Sequence, residues 1–291
     1  MRNEKEMLEL ILGVARADER IRAVCQNGSR TNPHARKDLF CDYDIVYIVR
    51  ETRPFYTDPH WIDRFGQRLY LQRPEEIDRG LGLDVDFDRS YGWLIQLADG
   101  NRLDLHVQTA DAADPQQDGL CLILLDKDSL FPSAPAPTDA AYWVKQPTQA
   151  QFRACCSEFW WCLNNIAKGL WRRELPYAHA MFYRTCHPQL LKLLSWRVGF
   201  KRGFTLSVGK SCKYLQDFLP APLWERLCRT YFHSDLAQLW ESVDAACLLF
   251  HETALYLQAQ SGLVYDAEEA EASHAFFRHV RTLPQDAQSI F

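Results

Sequence analysis

Met7, Leu8, Ile11, Leu12, Val14, Ala15 and Ile21 recur near the start of the chain at roughly helical spacing. The pattern predicts a helix from Glu4 to Asp18. It then gives way to short runs of β-branched and aromatic residues. "IRAVCQN" (21–27) and "DYDIVYIV" (42–49) read as strands. "DPHWIDRFGQRLYL" (58–71) reads as helix, with a short strand near its end. "YGWLIQLADGNRLDLHVQ" (91–108) reads as a hairpin of two apolar strands joined at Asp99-Gly100, a strong turn pair. "GLCLILLDKDSL" (119–130) supplies one more short strand.

The pattern breaks at "FPSAPAPTDA". Pro132, Pro135 and Pro137 stand so close together that neither a helix nor a central strand survives. A linker is expected from about Pro132 to Thr138, dividing the chain into residues 1–137 and 138–291. Beyond it the segments are long, helical and rich in Trp, Leu and Phe. Thr148 to Leu170, His187 to Val198 and Pro222 to Tyr231 are examples. The expectation is a domain of strands and helices followed by an all-helical one.

Composition narrows the function. Hydrophobic residues make up 47% and charged residues 24%, the balance of a globular protein that stays in water. The net charge of −5 and the lack of a basic stripe argue against a nucleic-acid partner or a template-directed polymerase. No apolar run approaches the ~20 residues that span a bilayer. The opening "MRNEKEMLELILGVARADERI" is too charged for a secretory signal. The ten cysteines form no CxxC pair, which fits free thiols in the cytoplasm. Cys186-His187 has no second pair nearby, so it makes a poor zinc site.

The informative stretch is "QNGSRTNPHARKDLFCDYDIVYIV" (26–49). Residues two apart on a strand share a face. Asp42 and Asp44 then point one way, and Tyr43 and Ile45 point into the core. Two adjacent carboxylates repel, and a hard divalent cation held by their oxygens relieves that. In "NRLDLHV", Leu103, Leu105 and Val107 alternate with Arg102, Asp104 and His106. If this strand lies beside the first, Asp104 joins Asp42 and Asp44. Gly28 lets a backbone approach a phosphate closely, and Ser29 adds a hydroxyl; Arg30 adds charge. A second acidic run, "DVDFDRS", resembles the start of a calcium loop. It has Arg89 where that loop needs Gly and Ile95 where it needs Glu, so it is read as a solvated loop.

Gly28-Ser29 with Asp42-x-Asp44 resembles the signature of the polymerase-beta-type nucleotidyltransferases. The blocks "NGSR", "DYDIVY", "LLDKD", "CCSEFWW", "KGLWRREL", "LLKLLSWRVGF" and "GFTLSVGKSCKYL" resemble, within them, the streptomycin-modifying aminoglycoside 6-adenylyltransferases. The likeness runs from Met1 to about Phe250. It implies an α+β fold: a polymerase-beta-like domain with a mixed sheet, then an all-helical domain. It implies AMP transfer from MgATP to the 6-hydroxyl of streptomycin. Asp42, Asp44 and Asp104 would hold Mg²⁺, with Asp104 as candidate base. Gly28, Ser29, Arg30, Lys210 and Lys213 would meet the ATP triphosphate. Streptomycin's guanidinium groups need acidic partners. Glu158 and Glu174, with Tyr177, are the candidates on that side. One departure stands out: the family pattern has Asp where this chain has Ala180. A different acceptor therefore stays open: another aminoglycoside, a lincosamide or a protein side chain. So does a nucleotide-binding module without transfer. The chain is expected to act as a monomer or homodimer. Trp160 and Trp161 read as core packing.

Overall fold

The computed structural model of the chain describes residues 1–114, 119–132, 134–231 and 234–291. Ser133, inside the expected linker, lies outside the described residues. The chain forms two compact units, Met1–Ala141 and Tyr142–Phe291.

The first unit opens with helix α1 (Glu4–Ala17). Asn3 and Glu6 close its first turn reciprocally: the Asn3 side chain accepts from the Glu6 N–H, and Glu6 accepts from the Asn3 N–H. Met7, Ile11 and Ala15, at helical spacing, are the residues it buries. Strands β1 (Ile21–Asn27) and β2 (Tyr43–Val49) follow, joined by a long loop that opens with a tight turn at Gly28–Arg30. Then come the short helix α2 (Arg53–Tyr56), a single tight turn at Trp61–Phe65, and strand β3 (Arg68–Gln72). Helix α3 (Pro74–Gly80), strands β4 (Ser90–Leu97) and β5 (Arg102–Thr109), and strand β6 (Cys121–Asp126) complete the unit.

The six strands make one mixed sheet in the order β3-β4-β5-β2-β1-β6. Only β2 and β5 run parallel; their register sets Asp44 beside Asp104 and Val46 beside His106. The other pairs are antiparallel. One sheet face buries Tyr43, Ile45, Tyr47, Leu103, Leu105 and Val107 against α1 and the Trp61–Phe65 turn. The Tyr47 hydroxyl donates to the Ile11 carbonyl at 2.6 Å, fixing α1 on that face. The alternation that buries these residues turns Asp44, Asp104 and His106 to the opposite face.

Two elements differ from the sequence reading. Segment 58–71 is one turn and an edge strand rather than a helix. Trp61, Ile62 and Phe65 have helical spacing, but Gly66 at φ +126° ends the turn after a single cycle. Helix α3 went unread, although Pro74 with Glu75 and Glu76 in the first turn is a start signal. Asp42 also sits just ahead of β2 rather than inside it.

The second unit is helical: α4 (Gln149–Trp171), α5 (Leu175–Met181), α6 (His187–Arg202), α7 (Leu215–Phe218), α8 (Ala221–Cys228), α9 (Leu236–Ser261) and α10 (Ala267–Thr282). Thr148 and Gln151 cap α4 as Asn3 and Glu6 cap α1. Phe159 stacks on Phe250 at 3.9 Å between ring centres, joining α4 to α9. Trp160 is buried and donates to the Tyr265 hydroxyl, whereas Trp161 is 75% exposed, so only the first is a core residue. All ten cysteines are free thiols, and no described helix is long and apolar enough to cross a membrane.

Candidate active site

Asp42, Asp44 and Asp104 each turn one carboxylate oxygen toward the others, and these oxygens lie within 4.8 Å of one another. Among the described residues no other group of three or more His, Cys, Asp and Glu side chains comes this close. The acidic run at Asp84, Asp86 and Asp88 does not converge. The β2–β5 register brings Asp44 and Asp104 together, and the end of the preceding loop brings Asp42.

Burial, and then the charges of Asp42 and Asp104, push the Asp44 carboxyl up to about 7. Arg102 and Arg30 oppose that rise. Arg102 has the larger effect of the two. Its Nε donates to Asp104 Oδ1 at 2.9 Å and its Nη2 to Oδ2 at 2.6 Å, a two-pronged clasp. The same Nε lies 3.9 Å from Asp42 Oδ2.

Gly28 backs the cluster. Its φ is +73°, and a Cβ there would fall 2.1 Å from Asp44 Oδ2. Glycine is required on both counts. The Gly28 N–H donates to the Leu120 carbonyl, and Lys37 Nζ donates to the carbonyls of Ser29 and Arg30. The turn is thus held from both sides. Arg30 is engaged rather than open. Its Nε donates to the Asp42 carbonyl at 2.9 Å and its Nη2 to that of Cys41 at 2.8 Å. The guanidinium stacks 3.7 Å from the Tyr43 ring centre and pairs with Glu4. It therefore clamps the backbone that carries Asp42.

The donors suit a hard cation. All three are carboxylate oxygens, the preference of Mg²⁺. Asn27 adds a second observation. It stands opposite Asp44 across the β1–β2 pair, so the two side chains share a face. Its Oδ1 is buried with no hydrogen-bond partner among the described residues. A buried acceptor of this kind fits a neighbouring cation or its hydration shell.

His106 lies two residues beyond Asp104 on the same face. Gly92 makes room for it: a Cβ at 92 would be 2.4 Å from His106 Nε2. Glu75 accepts from the Gly92 N–H at 2.9 Å and approaches His106 Nε2 at 3.6 Å. Arg102, Asn27 and the His106–Glu75 pair were missed as site residues in the sequence. Arg102-x-Asp104 carries the same two-residue spacing that singled out Asp42-x-Asp44, and that signal was available.

Five candidates belong to the second unit. Lys210 and Lys213 are exposed in a tight turn, not on a helix face. Gly209, Ser211 and Cys212 all take positive φ there, an unusual density of left-handed backbone. Glu158 is exposed on α4 and accepts from the Cys162 thiol. It lines an open depression with Lys145, Gln189, Lys192 and Trp196. Glu174 is the exposed residue heading α5. Tyr177 packs its ring over Gly169, where a Cβ would come within 2.8 Å. Ala180 is half-buried on α5.

The family model described as streptomycin adenylyltransferase matches residues 1–280. An aminoglycoside 6-adenylyltransferase of Campylobacter jejuni is 35% identical over 280 residues, covering 96% of each chain. The Bacillus subtilis (strain 168) protein of the same name is 35% identical over 269 residues, 91% of this chain and 93% of its own. That of Staphylococcus aureus is 34% identical over 253 residues, 86% and 89%. A crystal structure of an aminoglycoside 6-adenyltransferase from Bacillus subtilis aligns over 97% of this chain and 100% of its own, at 28% identity and a TM-score of 0.48. With a family model spanning nearly all of its length and relatives this similar from end to end, the chain belongs to the streptomycin adenylyltransferase family.

Proposed function

We propose that this protein transfers AMP from MgATP to the 6-hydroxyl of streptomycin and releases pyrophosphate. The observation that carries this reading is the convergence of Asp42, Asp44 and Asp104 beside the Gly28-Ser29 turn, in a member of this family. The acceptor oxygen forms a bond to the α-phosphorus. The bond from that phosphorus to the bridging oxygen breaks, and pyrophosphate leaves. Asp104 takes the hydroxyl proton.

Asp42, Asp44 and Asp104 would hold the Mg²⁺, which when bound neutralises phosphate charge during an in-line transfer. Ser29 and the backbone N–H groups after Gly28 meet the triphosphate. Arg30 contributes by fixing the Cys41 and Asp42 carbonyls. Lys210 and Lys213 supply further positive charge for the phosphate oxygens. Glu158, Glu174 and Tyr177 serve the cationic acceptor. The chain works as a cytoplasmic monomer or homodimer, without nucleic acid or membrane.

Ala180 favours one second reading, in which the acceptor differs from streptomycin. Mass spectrometry of candidate acceptors incubated with MgATP separates the two. A gain of one AMP unit on streptomycin, with matching pyrophosphate, supports the first reading. The same gain only on another aminoglycoside, a lincosamide or a protein side chain supports the second. ATP binding with no pyrophosphate release for any acceptor overturns both.

A further inference from the structure

Arg102 occupies both oxygens of the carboxylate that the proposed mechanism needs free. Its fork on Asp104 is short on both prongs, and the same guanidinium reaches toward Asp42. This cation offsets part of the repulsion among three converging carboxylates. A divalent ion at the cluster would share Asp104 with it, and two cations on one carboxylate repel at short range.

The two arginines near the cluster differ in how firmly they are held. The Arg30 side chain is only 8% exposed, stacked on Tyr43 and bonded to two carbonyls. The Arg102 side chain is 50% exposed, and its two hydrogen bonds both go to Asp104. With half of the side chain open to solvent, it can swing off the carboxylate at little cost to the core.

We propose that Arg102 is a displaceable counter-cation: it clasps Asp104 and must release it before Asp104 can bind a divalent ion. Arg102 is thus a positioning residue that sets the metal affinity of the cluster. The inference rests on the metal-binding reading above.

The test is Mn²⁺ binding to the full-length protein without nucleotide, read from the electron paramagnetic resonance of free Mn²⁺. The variants are Arg102→Gln, Arg102→Lys, Asp104→Asn, the double variant Arg102→Gln/Asp104→Asn, and Asp42→Asn. Arg102→Gln is expected to bind Mn²⁺ about tenfold more tightly than wild type. Arg102→Lys keeps the charge but not the fork, and should fall between them. In the Asp104→Asn background the gain from Arg102→Gln should largely vanish, which separates competition for Asp104 from a general loss of positive charge. Should Arg102→Gln fold poorly, the Arg102→Lys and wild-type comparison still decides. Unchanged or weaker affinity in the Arg102 variants, with binding lost in Asp42→Asn, overturns the inference and leaves the metal site standing. An equal gain in both backgrounds overturns it too. No Mn²⁺ bound by any variant removes the metal reading and this inference together.

Discussion

Gly28 and Asp44 approach so closely that a Cβ at position 28 would lie 2.1 Å from Asp44 Oδ2. The turn expected to meet phosphate and the carboxylate expected to meet metal are therefore one packed unit. Gly28→Ala should destabilise the protein by about 1–2 kcal/mol from its left-handed backbone alone. It should also push Asp44 out of the cluster and abolish most activity. Gly262→Ala is the control: φ is +71° there, but nothing lies within 4 Å of the new Cβ. It should lose stability by strain alone and keep its activity. Denaturant unfolding and a transfer assay on both variants check this, and equal loss of activity in the two would contradict it.

The Asp44 carboxyl, raised to about 7 from an ordinary aspartate value of 3.8, makes a definite pH signature. Between those values the native state holds a proton that the unfolded state has released. Stability therefore falls as pH rises through this window and levels off above it. In EDTA, Asp44→Asn should match wild type near pH 4 and be the more stable protein at pH 8. Added Mg²⁺ should narrow the gap. Urea unfolding across pH measures it; a wild type as stable as the variant at pH 8 would refute the assignment of burial and repulsion as the cause.

The second unit carries the opposite signature. His187 is buried among Phe182, Tyr183 and Tyr231, with its Nε2 2.9 Å from the Thr230 hydroxyl. Burial lowers its pKa from 6.5 to about 4. Here the unfolded state binds the extra proton, so stability is full above pH 6.5 and is lost as pH falls toward 4. The loss is on the order of 3 kcal/mol. His187→Phe should flatten that acid limb. Thr230 keeps a partner in the variant because its hydroxyl also donates to the Leu227 carbonyl. An unchanged acid limb would sink this account.

Arg30 should act on the metal through the backbone it holds. Arg30→Ala should raise the Mg²⁺ concentration needed for half-maximal rate by roughly ten- to a hundredfold, the usual effect of losing a group that orients a ligand. Arg30→Lys should rescue little, since lysine cannot fork to two carbonyls while stacking on Tyr43. A metal titration of the rate measures this, and full rescue by lysine would point to charge rather than geometry.

Much of this site was readable from alternation. Tyr43 and Ile45 against Asp42 and Asp44 marked which face is buried, and the Leu103–Val107 alternation did the same for Asp104. That β5 lies beside β2 was only a condition in the sequence, and its parallel direction was not read at all, because strand neighbours far apart in sequence leave no local mark. Arg102 was legible by spacing but hidden by chemistry: an arginine on an exposed face reads as solvated until its distance to a carboxylate is known. Segment 58–71 misled because one turn of Trp61, Ile62 and Phe65 looks like the start of a helix. Only the backbone of Gly66 reveals that it stops.

The most direct test of the whole account is single-turnover AMP transfer by wild type, Asp42→Asn and Asp104→Asn, each first shown to be folded and saturated with nucleotide. If the three carboxylates act as one catalytic cluster, Asp42→Asn transfers nothing measurable. Asp104→Asn still binds ATP but transfers about 10²–10⁴ times more slowly, the range for losing a general base. Transfer at a near wild-type rate by either variant would contradict the cluster as the seat of catalysis.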